Sequence, residues 1–245
     1  RIIANANFSK SDAVRDFYEQ YLNPDFTPTG RDSTQLLTTA TNTKGYNLRT
    51  SYDRPLKNKK TFLSTGAFYN ISKSHIAADA SYKSPVDDKW MALAALNNEF
   101  IYEQKIANLR GSVKQILGEQ FSATAGLSAE HTAIDFELYR TGTKPGTSYW
   151  SYLPFANLNK NWKEKLNLTF SYRRTIRRPG VGELNPTVDS SDQYNLRVGN
   201  LDLKPSMANN FDLVLGKTKK SFYANLGFGY NQVSDVFNLI TTAID

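Results

Sequence analysis

Few residues in this chain have the types and spacing that bond chemistry requires. Cysteine is absent and the two histidines, His75 and His131, stand far apart, so neither a thiolate or His-based metal site nor a catalytic triad is indicated. Glu99 and Glu103 could form the carboxylate pair of a glycosidase, but carboxylates are common in loops. No nucleophile elbow, phosphate-binding loop or HExxH zinc motif is present. We therefore predict a protein that is not an enzyme and holds no metal or cofactor.

The densest charge in the chain is a run of four arginines: Arg173, Arg174, Arg177 and Arg178. Strand alternation places Arg173 and Arg177 on one face and the other two on the opposite face. Two interpretations stay open. The arginines could bind lipid head groups or cap loop carbonyls at a membrane interface, or they could bind an anionic ligand or another domain. The net charge of +7 comes from scattered lysines and arginines without a basic helix, so we predict no nucleic-acid partner.

Alternation of apolar and polar residues organises the chain into about nine strands. The segment from Phe121 to Glu130 is the most regular, with phenylalanine, alanine and leucine opposed by serine, threonine and glycine. Helical periodicity is nearly absent, although Trp90 to Leu96 is compatible with a helical turn. No run of apolar residues reaches the roughly 20 that a transmembrane helix requires. The expected fold class is all-β.

The predicted connections between strands alternate strictly between short and long. Short turns fall near residues 57–60, 117–120, 160–165 and 217–220, and longer connections near 11–43, 73–98, 139–149 and 178–206. In an antiparallel meander, alternate connections lie at the same end, so the short turns gather at one end and the long loops at the other. Outer-membrane barrels have this asymmetry, with short periplasmic turns and long extracellular loops.

The two faces of the predicted strands also suit a barrel wall. One face is rich in asparagine, serine, threonine and arginine, as a hydrated lumen requires, and the other in leucine, alanine and phenylalanine. Tyrosine and tryptophan lie toward strand ends on the apolar face, as in aromatic girdles: Tyr52, Tyr69, Trp150, Trp162, Tyr172 and Tyr230. A soluble antiparallel sheet with one wet face would show the same alternation, so that alternative stays open.

Two local irregularities in the alternating pattern of the strands allow further predictions. The apolar parity of Phe121 to Ala129 switches at Ile134, which indicates either a β-bulge or a change of environment. Pro154 lies within an otherwise regular strand and removes one backbone donor, so we place it at a strand end, a bulge or an edge.

The segment from Ser171 to Ser206 connects two of the strands and contains three proline- or glycine-bearing motifs. They are Arg178-Pro179, Leu184-Asn185-Pro186 and the run from Gly199 through Asn200, Leu203 and Lys204 to Pro205. In these motifs the chain resembles the β-barrel domains of TonB-dependent outer-membrane receptors, in particular the Bacteroidetes-type outer-membrane barrel family. Ser206 departs from the glutamate that is common there.

The resemblance extends over most of residues 100–238 and is one of pattern alone before Phe100. It includes three further signatures, with Ser128 where arginine is usual: Phe100, Tyr102 and Glu103; Ala125 to Thr132; and Leu153 to Leu158. Such receptors have barrels of about 22 strands and an N-terminal plug domain. The resemblance therefore implies that residues 1–245 form a single segment of an outer-membrane barrel domain, an antiparallel up-and-down meander without a plug and with an incomplete barrel.

The function implied by the resemblance is that of a TonB-dependent receptor in the bacterial outer membrane. It would import a ligand too large for porins, such as a carbohydrate, siderophore or peptide, with membrane lipid, plug and TonB as partners and a surface lipoprotein as a further candidate partner. A ligand role is assigned to the motif loop, whose candidate residues are Arg173, Arg177, Arg178, Pro179, Leu184, Asn185, Pro186, Gly199, Asn200, Leu203, Lys204 and Pro205. The alternatives are a structural or adhesive barrel without energy coupling and a soluble β binding module. As an isolated fragment, the chain should self-associate through its open strand edges.

Overall fold

Ten strands and one helical turn make up the part of the chain that the computed structural model describes, namely residues 1–30, 32–84, 87–94, 96–162, 166–187, 197–219 and 222–242. The strands are Ile2–Glu19 (β1), Ser33–Pro55 (β2), Thr61–Lys83 (β3), Trp90–Ala92 (β4), Asn98–Leu117 (β5), Phe121–Leu138 (β6), Gly146–Trp162 (β7), Leu166–Arg177 (β8), Ser206–Lys219 (β9) and Phe222–Ser234 (β10), and the helix is Val181–Leu184 (α1). No helix in these described ranges is long and apolar enough to cross a membrane.

A single antiparallel sheet contains all the strands, in the order β1-β2-β3-β5-β6-β7-β8-β9-β10, with β4 paired to β3 off this path. The predicted all-β meander is confirmed, because strands that follow one another along the chain lie side by side in the sheet once the short β4 is left aside. The suggested helical turn at Trp90 to Leu96 is wrong at its start: Trp90 to Ala92 form β4, whose Trp90 pairs with Lys83. Pairing with β4 provides hydrogen-bond partners for the backbone of β3 near Lys83.

The long-loop end of the sheet differs from the sequence prediction in the position of the strand ends. β1 and β2 stay paired out to Glu19 and Ser33, and β3 runs to Lys83, so the first two long connections shrink to residues 20–32 and 84–97. Strands of 23 residues far exceed the roughly 9–11 that cross a bilayer. The sequence is compatible with short strand extensions around Val14 to Tyr21, but the others escaped prediction because their apolar residues, such as the adjacent Leu36 and Leu37, do not alternate with polar ones. The alternation of short and long connections is confirmed.

The register brings most of the apolar residues of the long strands onto one face, which we call the apolar face. Leu158, Phe170, Leu213 and Phe228, for example, form one row across β7 to β10. The face is uncovered: Leu109 is 63% exposed and Phe228 71% exposed. The predicted aromatic residues all belong to it: Tyr52, Tyr69, Trp150, Trp162, Tyr172 and Tyr230.

The opposite, polar face carries the change of parity that the sequence shows at Ile134. Pairing of β5 with β6 runs without interruption from Leu117 opposite Phe121 to Phe100 opposite Leu138, so the bulge is excluded. Ile134 and Leu138 therefore lie on the polar face and are buried there, and the alternative, a change of environment, is correct. The small core of the fold lies at this place, toward the long-loop end.

Pro154 marks the point where β7 and β8 separate. β7 pairs with β6 as far as Gly146, but with β8 only from Phe155, opposite Arg173, to Trp162. Beyond Phe155, β7 thus has a free edge toward β8, and Pro154 is the first residue on it. The expectation that this proline lies at an edge is confirmed, because no ladder donor is needed there.

Candidate functional site

The described parts of the loop between β8 and β9, residues 178–187 and 197–205, fold back onto the polar face. Leu184 of α1 is fully buried in a cluster with Phe100, Ile134, Phe136 and Leu138 of β5 and β6. Further apolar side chains of the loop pack against this cluster: Val181, Leu201 and Leu203. The loop packs onto this face because burial of these side chains removes apolar surface from water at both partners.

Two segments of the loop meet in a backbone contact that we call the clasp, formed by residues 183–187 and 199–200. The amide of Gly199 donates to the carbonyl of Asn185 (2.8 Å), and the amide of Asn200 donates to the carbonyl of Glu183 (2.8 Å). A Cβ atom on Gly199 would lie 2.5 Å from the Asn185 nitrogen. The approach of the two backbones therefore requires glycine at this position.

The asparagine side chains of the motifs stabilise the two halves of the clasp. Asn185 Oδ1 accepts hydrogen bonds from the amide (3.1 Å) and hydroxyl (2.8 Å) of Thr187, and Asn200 Oδ1 accepts one from the amide of Asp202 (2.8 Å). Both are Asx turns, which asparagine favours. Asn98 of β5 donates to the hydroxyl of Thr187 (2.7 Å) and so ties the clasp to the sheet.

Arg178 anchors the start of the loop in an ion pair with Glu130 of β6. The side chains of the pair are 23% and 7% exposed, and Arg178 Nε also donates to the buried hydroxyl of Thr132 (3.4 Å). Asn108 donates to the other carboxylate oxygen of Glu130 (3.3 Å). The prediction that Arg178 faces away from Arg173 and Arg177 is wrong. β8 ends at Arg177, so strand alternation no longer applies to the next residue.

The remaining motif residues have varied surroundings. Arg177 contacts Glu183 (3.3 Å) and lies over the ring of Phe237 (4.6 Å). Pro179 and Pro205 are buried, Pro186 is half-buried and Lys204 is exposed. Most of the motif thus contacts other parts of the same chain. Its suggested ligand role stays a prediction.

The polar face carries two adjoining cavities, which together we call the polar groove. They measure about 520 and 530 Å³ and share Arg110 and Ser128. The first reaches Arg49, and the second includes Arg173 and Asp212. A groove lined by arginine, serine and asparagine side chains can bind polar or anionic groups through hydrogen bonds.

Arg110 is held in place at the centre of the groove by a stack of side chains. The ring of Phe155 lies against the backbone of Gly126, where a Cβ would come within 2.3 Å of the ring. The guanidinium of Arg110 lies 4.1 Å from the centroid of the same ring, a cation–π contact. Arg174 also lines the second cavity, where β7 and β8 separate, although alternation assigned it to the other face. Its Nε is buried without a hydrogen-bond partner among the described residues.

The carboxylates considered for catalysis form ion pairs on the outer parts of β5. Glu99 lies 2.8 Å from His75 Nε2, and Glu103 lies 2.5 Å from Lys105 Nζ and 3.8 Å from Lys73 Nζ. Glu99 is thereby engaged by a histidine of β3, and Glu103 by lysines of β5 and β3. This arrangement supports a structural role for them.

The first outer connection presents an aromatic side chain to solvent. Thr27 donates to Asp25 Oδ1 from its hydroxyl (2.7 Å) and its amide (3.2 Å), and these hydrogen bonds lower the pKa of Asp25. Between them, Phe26 is 82% exposed with φ of 63°. Tyr18 donates to Asp32 (2.5 Å), and this hydrogen bond raises the pKa of the Tyr18 phenol.

Comparison with known proteins identifies the family. The model of the outer membrane protein beta-barrel family matches residues 1–245. The chain belongs to this family. It is therefore an outer-membrane chain, and its apolar face is the lipid-facing surface. A comparison with curated proteins found no match.

Two solved structures share the fold of this family member. One is the ferric citrate transporter FecA in its unliganded form, with TM-score 0.59 and 15% identity over 95% of this chain and 32% of that one. The other is the copper transporter OprC, with TM-score 0.62 and 15% identity over 94% and 35%. The chain thus spans about a third of the length of each. At this identity the likeness concerns the fold alone.

Proposed function

We propose that this chain forms part of the wall and outer loops of a TonB-dependent receptor that imports a ligand too large for porins, such as a carbohydrate, siderophore or peptide. The observation that carries the proposal is the polar groove, about 520 and 530 Å³ in its two parts, next to a loop that folds inward over the same face. A wall with a shaped, arginine-bearing interior suits passage of a polar ligand. It performs no bond chemistry.

The barrel is completed, in this proposal, by strands outside residues 1–245. In the described sheet β1 pairs only with β2 and β10 only with β9, so each has one free edge, which a transmembrane barrel cannot leave open in lipid. Residues 1–245 then form one barrel segment. The partners we propose for the complete receptor are a plug domain, TonB and a surface lipoprotein that delivers the ligand.

A structural or adhesive barrel without energy coupling is the competing function. A purely structural wall needs no groove, whereas an adhesin would present its loops outward, as the exposed Phe26 does. The soluble binding module is excluded by the family and by an uncovered apolar face that runs across the whole sheet.

Uptake measurements on the complete protein in its host would test the proposal. Deletion should abolish growth on one member of a panel of glycans, peptides and ferric siderophores, and uptake of that nutrient should stop when a protonophore dissipates the proton gradient. The Arg110→Ser and Arg173→Ser double variant should import more slowly at equal abundance in the membrane, because both residues line the groove. Arg54→Ser, at the short-turn end of β2, is the control. Deletion without any loss of uptake would favour the adhesive barrel.

A further inference from the structure

The lipid-facing side of β1 to β7 is not smooth but contains two apolar grooves. They measure about 300 and 480 Å³ and adjoin at Leu48 and Tyr69. Leu109 and Trp150 line the first, and the second extends over β1. We call this pair of cavities the lipid groove. Its depth offers an acyl chain more contact than a flat barrel wall would.

Two lysines stand directly opposite each other above the lipid groove. Lys44 of β2 pairs with Lys73 of β3 in the register, on the same face as Leu48 and Tyr69. Like charges directly opposite in an antiparallel pair destabilise a sheet. Lys73 has Glu103 at 3.8 Å, whereas Lys44 forms no ion pair with the residues that the structure describes. A positive charge therefore remains between β2 and β3.

The position of the lysines fits the head-group level of the outer leaflet. They lie four residues beyond Leu48 and Tyr69 toward the long-loop end, or roughly 13 Å along the strand. Long loops of outer-membrane barrels face the cell exterior. Tyr46, one residue pair closer to the groove, is of the type that marks the membrane interface.

We propose that this surface binds one phosphate-bearing lipid of the outer leaflet, with an acyl chain in the lipid groove and the phosphate between Lys44 and Lys73. The phosphate relieves the repulsion of the two ammonium groups through charge-assisted hydrogen bonds. The long methylene stems of the lysines cover the apolar rim while their charges reach the head group. The site is separate from the polar groove, which lies on the opposite face of the sheet.

Fluorescence quenching at Trp150 would test the site in the complete protein, purified in a non-ionic detergent. The probe is phosphatidic acid with brominated acyl chains, whose bromine quenches a nearby indole, and the same measurement on Trp150→Phe subtracts all other tryptophans. Phosphatidylcholine with the same chains is the zwitterionic comparison. Because Trp150 lines the groove, we expect saturable quenching by phosphatidic acid at lower lipid concentration than by phosphatidylcholine.

The variants separate the head-group contact from the groove. Lys44→Gln with Lys73→Gln should weaken phosphatidic acid binding by roughly tenfold or more and leave phosphatidylcholine binding unchanged. Lys57→Gln with Lys60→Gln removes the same charge at the short-turn end of these strands and should change nothing.

Two further measurements complete the test. Ala107→Leu, which fills the groove with apolar volume, should weaken binding of both lipids. Equal quenching by both lipids in the unaltered protein would overturn the proposal, because it would indicate an unselective lipid shell. Inorganic phosphate should compete much less strongly than unlabelled phosphatidic acid. Equal competition by the two would overturn the assignment of a lipid.

Discussion

Replacement of Leu184 by alanine should release the inward-folded loop from the barrel wall. Leu184 is fully buried against Phe100, Ile134, Phe136 and Leu138, whereas the other apolar side chains of the loop that pack there are only partly buried. The substitution leaves the strands intact. We therefore expect a local effect on loop docking and no effect on barrel assembly.

The size of this effect follows from the burial of the side chain. Leucine-to-alanine substitutions at fully buried positions cost about 2–5 kcal/mol, depending on how far the site can collapse. The cluster around Leu184 is small and has partly buried side chains at its edge, Val181, Leu201 and Leu203, which can move into the vacated space, so we expect the lower part of this range. A loss of about 2 kcal/mol raises the ratio of undocked to docked loop about 30-fold.

Amide hydrogen exchange on the complete protein in detergent would measure this ratio. The amides of Gly199 and Asn200 donate to the carbonyls of Asn185 and Glu183, so they exchange only when the clasp opens. Their exchange in Leu184→Ala should accelerate about 30-fold or more, while amides in the middle of β5 and β6 keep their rates.

Val198→Ala is the matched control for this measurement. Val198 belongs to the same loop but is 64% exposed, so the loss of its methyl groups should leave exchange at the clasp unchanged. Unaltered rates in Leu184→Ala, or equal acceleration in both variants, would refute the view that burial of Leu184 docks the loop.

Four more predictions follow from the same contacts. Gly199→Ala should open the clasp, because its Cβ would collide with the backbone at Asn185. Gly182→Ala is the control and should leave the clasp closed, because no atom lies within 4 Å of the added Cβ. The amide exchange rate of Asn200 distinguishes the two variants. Glu130→Gln should destabilise loop docking by about 3–5 kcal/mol, because it leaves the charge of Arg178 unpaired, and Arg178→Met in the same chain should recover most of the loss. The pKa of Asp25 is lowered, so the turn should keep its hydrogen bonds above a pH of about 4 and lose them as the pH falls through the lowered pKa. Faster amide exchange at Thr27 would report this loss. Residues 1–245 alone should elute as oligomers, because β1 and β10 have open edges; a monodisperse monomer would contradict this.

The sheet was predictable from the sequence wherever lipid imposes one apolar face. Around Leu48, Leu127 and Leu213 every second residue must be apolar and its neighbours must suit a hydrated interior, so alternation alone locates the strands. The outer parts of β1 and β2 were not predictable in this way. Lys10 to Glu19 pairs with β2 throughout, but both faces are in water there, and backbone pairing leaves no periodic trace in the sequence.

The docked loop was only half predictable. The switch of parity at Ile134 indicated that part of the polar face has an apolar environment, but it did not identify what provides it. The partner, Leu184, is distant in the sequence and comes from a helix of four residues, too short for a helical pattern. Arg178 was misplaced for a related reason: its direction depends on Glu130 of another strand and not on the strand it follows.

The contacts of the motif loop show which of its residues maintain the structure of the loop itself. Gly199, Asn185 and Asn200 are required by the clasp itself, since each fulfils a backbone or Asx-turn function within the loop, and Leu184 is occupied by the core. The buried side chain of Leu184 is not available to a ligand while the loop is docked. Arg110 and Arg173 differ, because they line the polar groove and form no ion pair with described residues. Substitution of Arg110 or Arg173 should therefore change what the polar groove can bind without opening the clasp, whereas the ligand role of the motif loop stays a prediction.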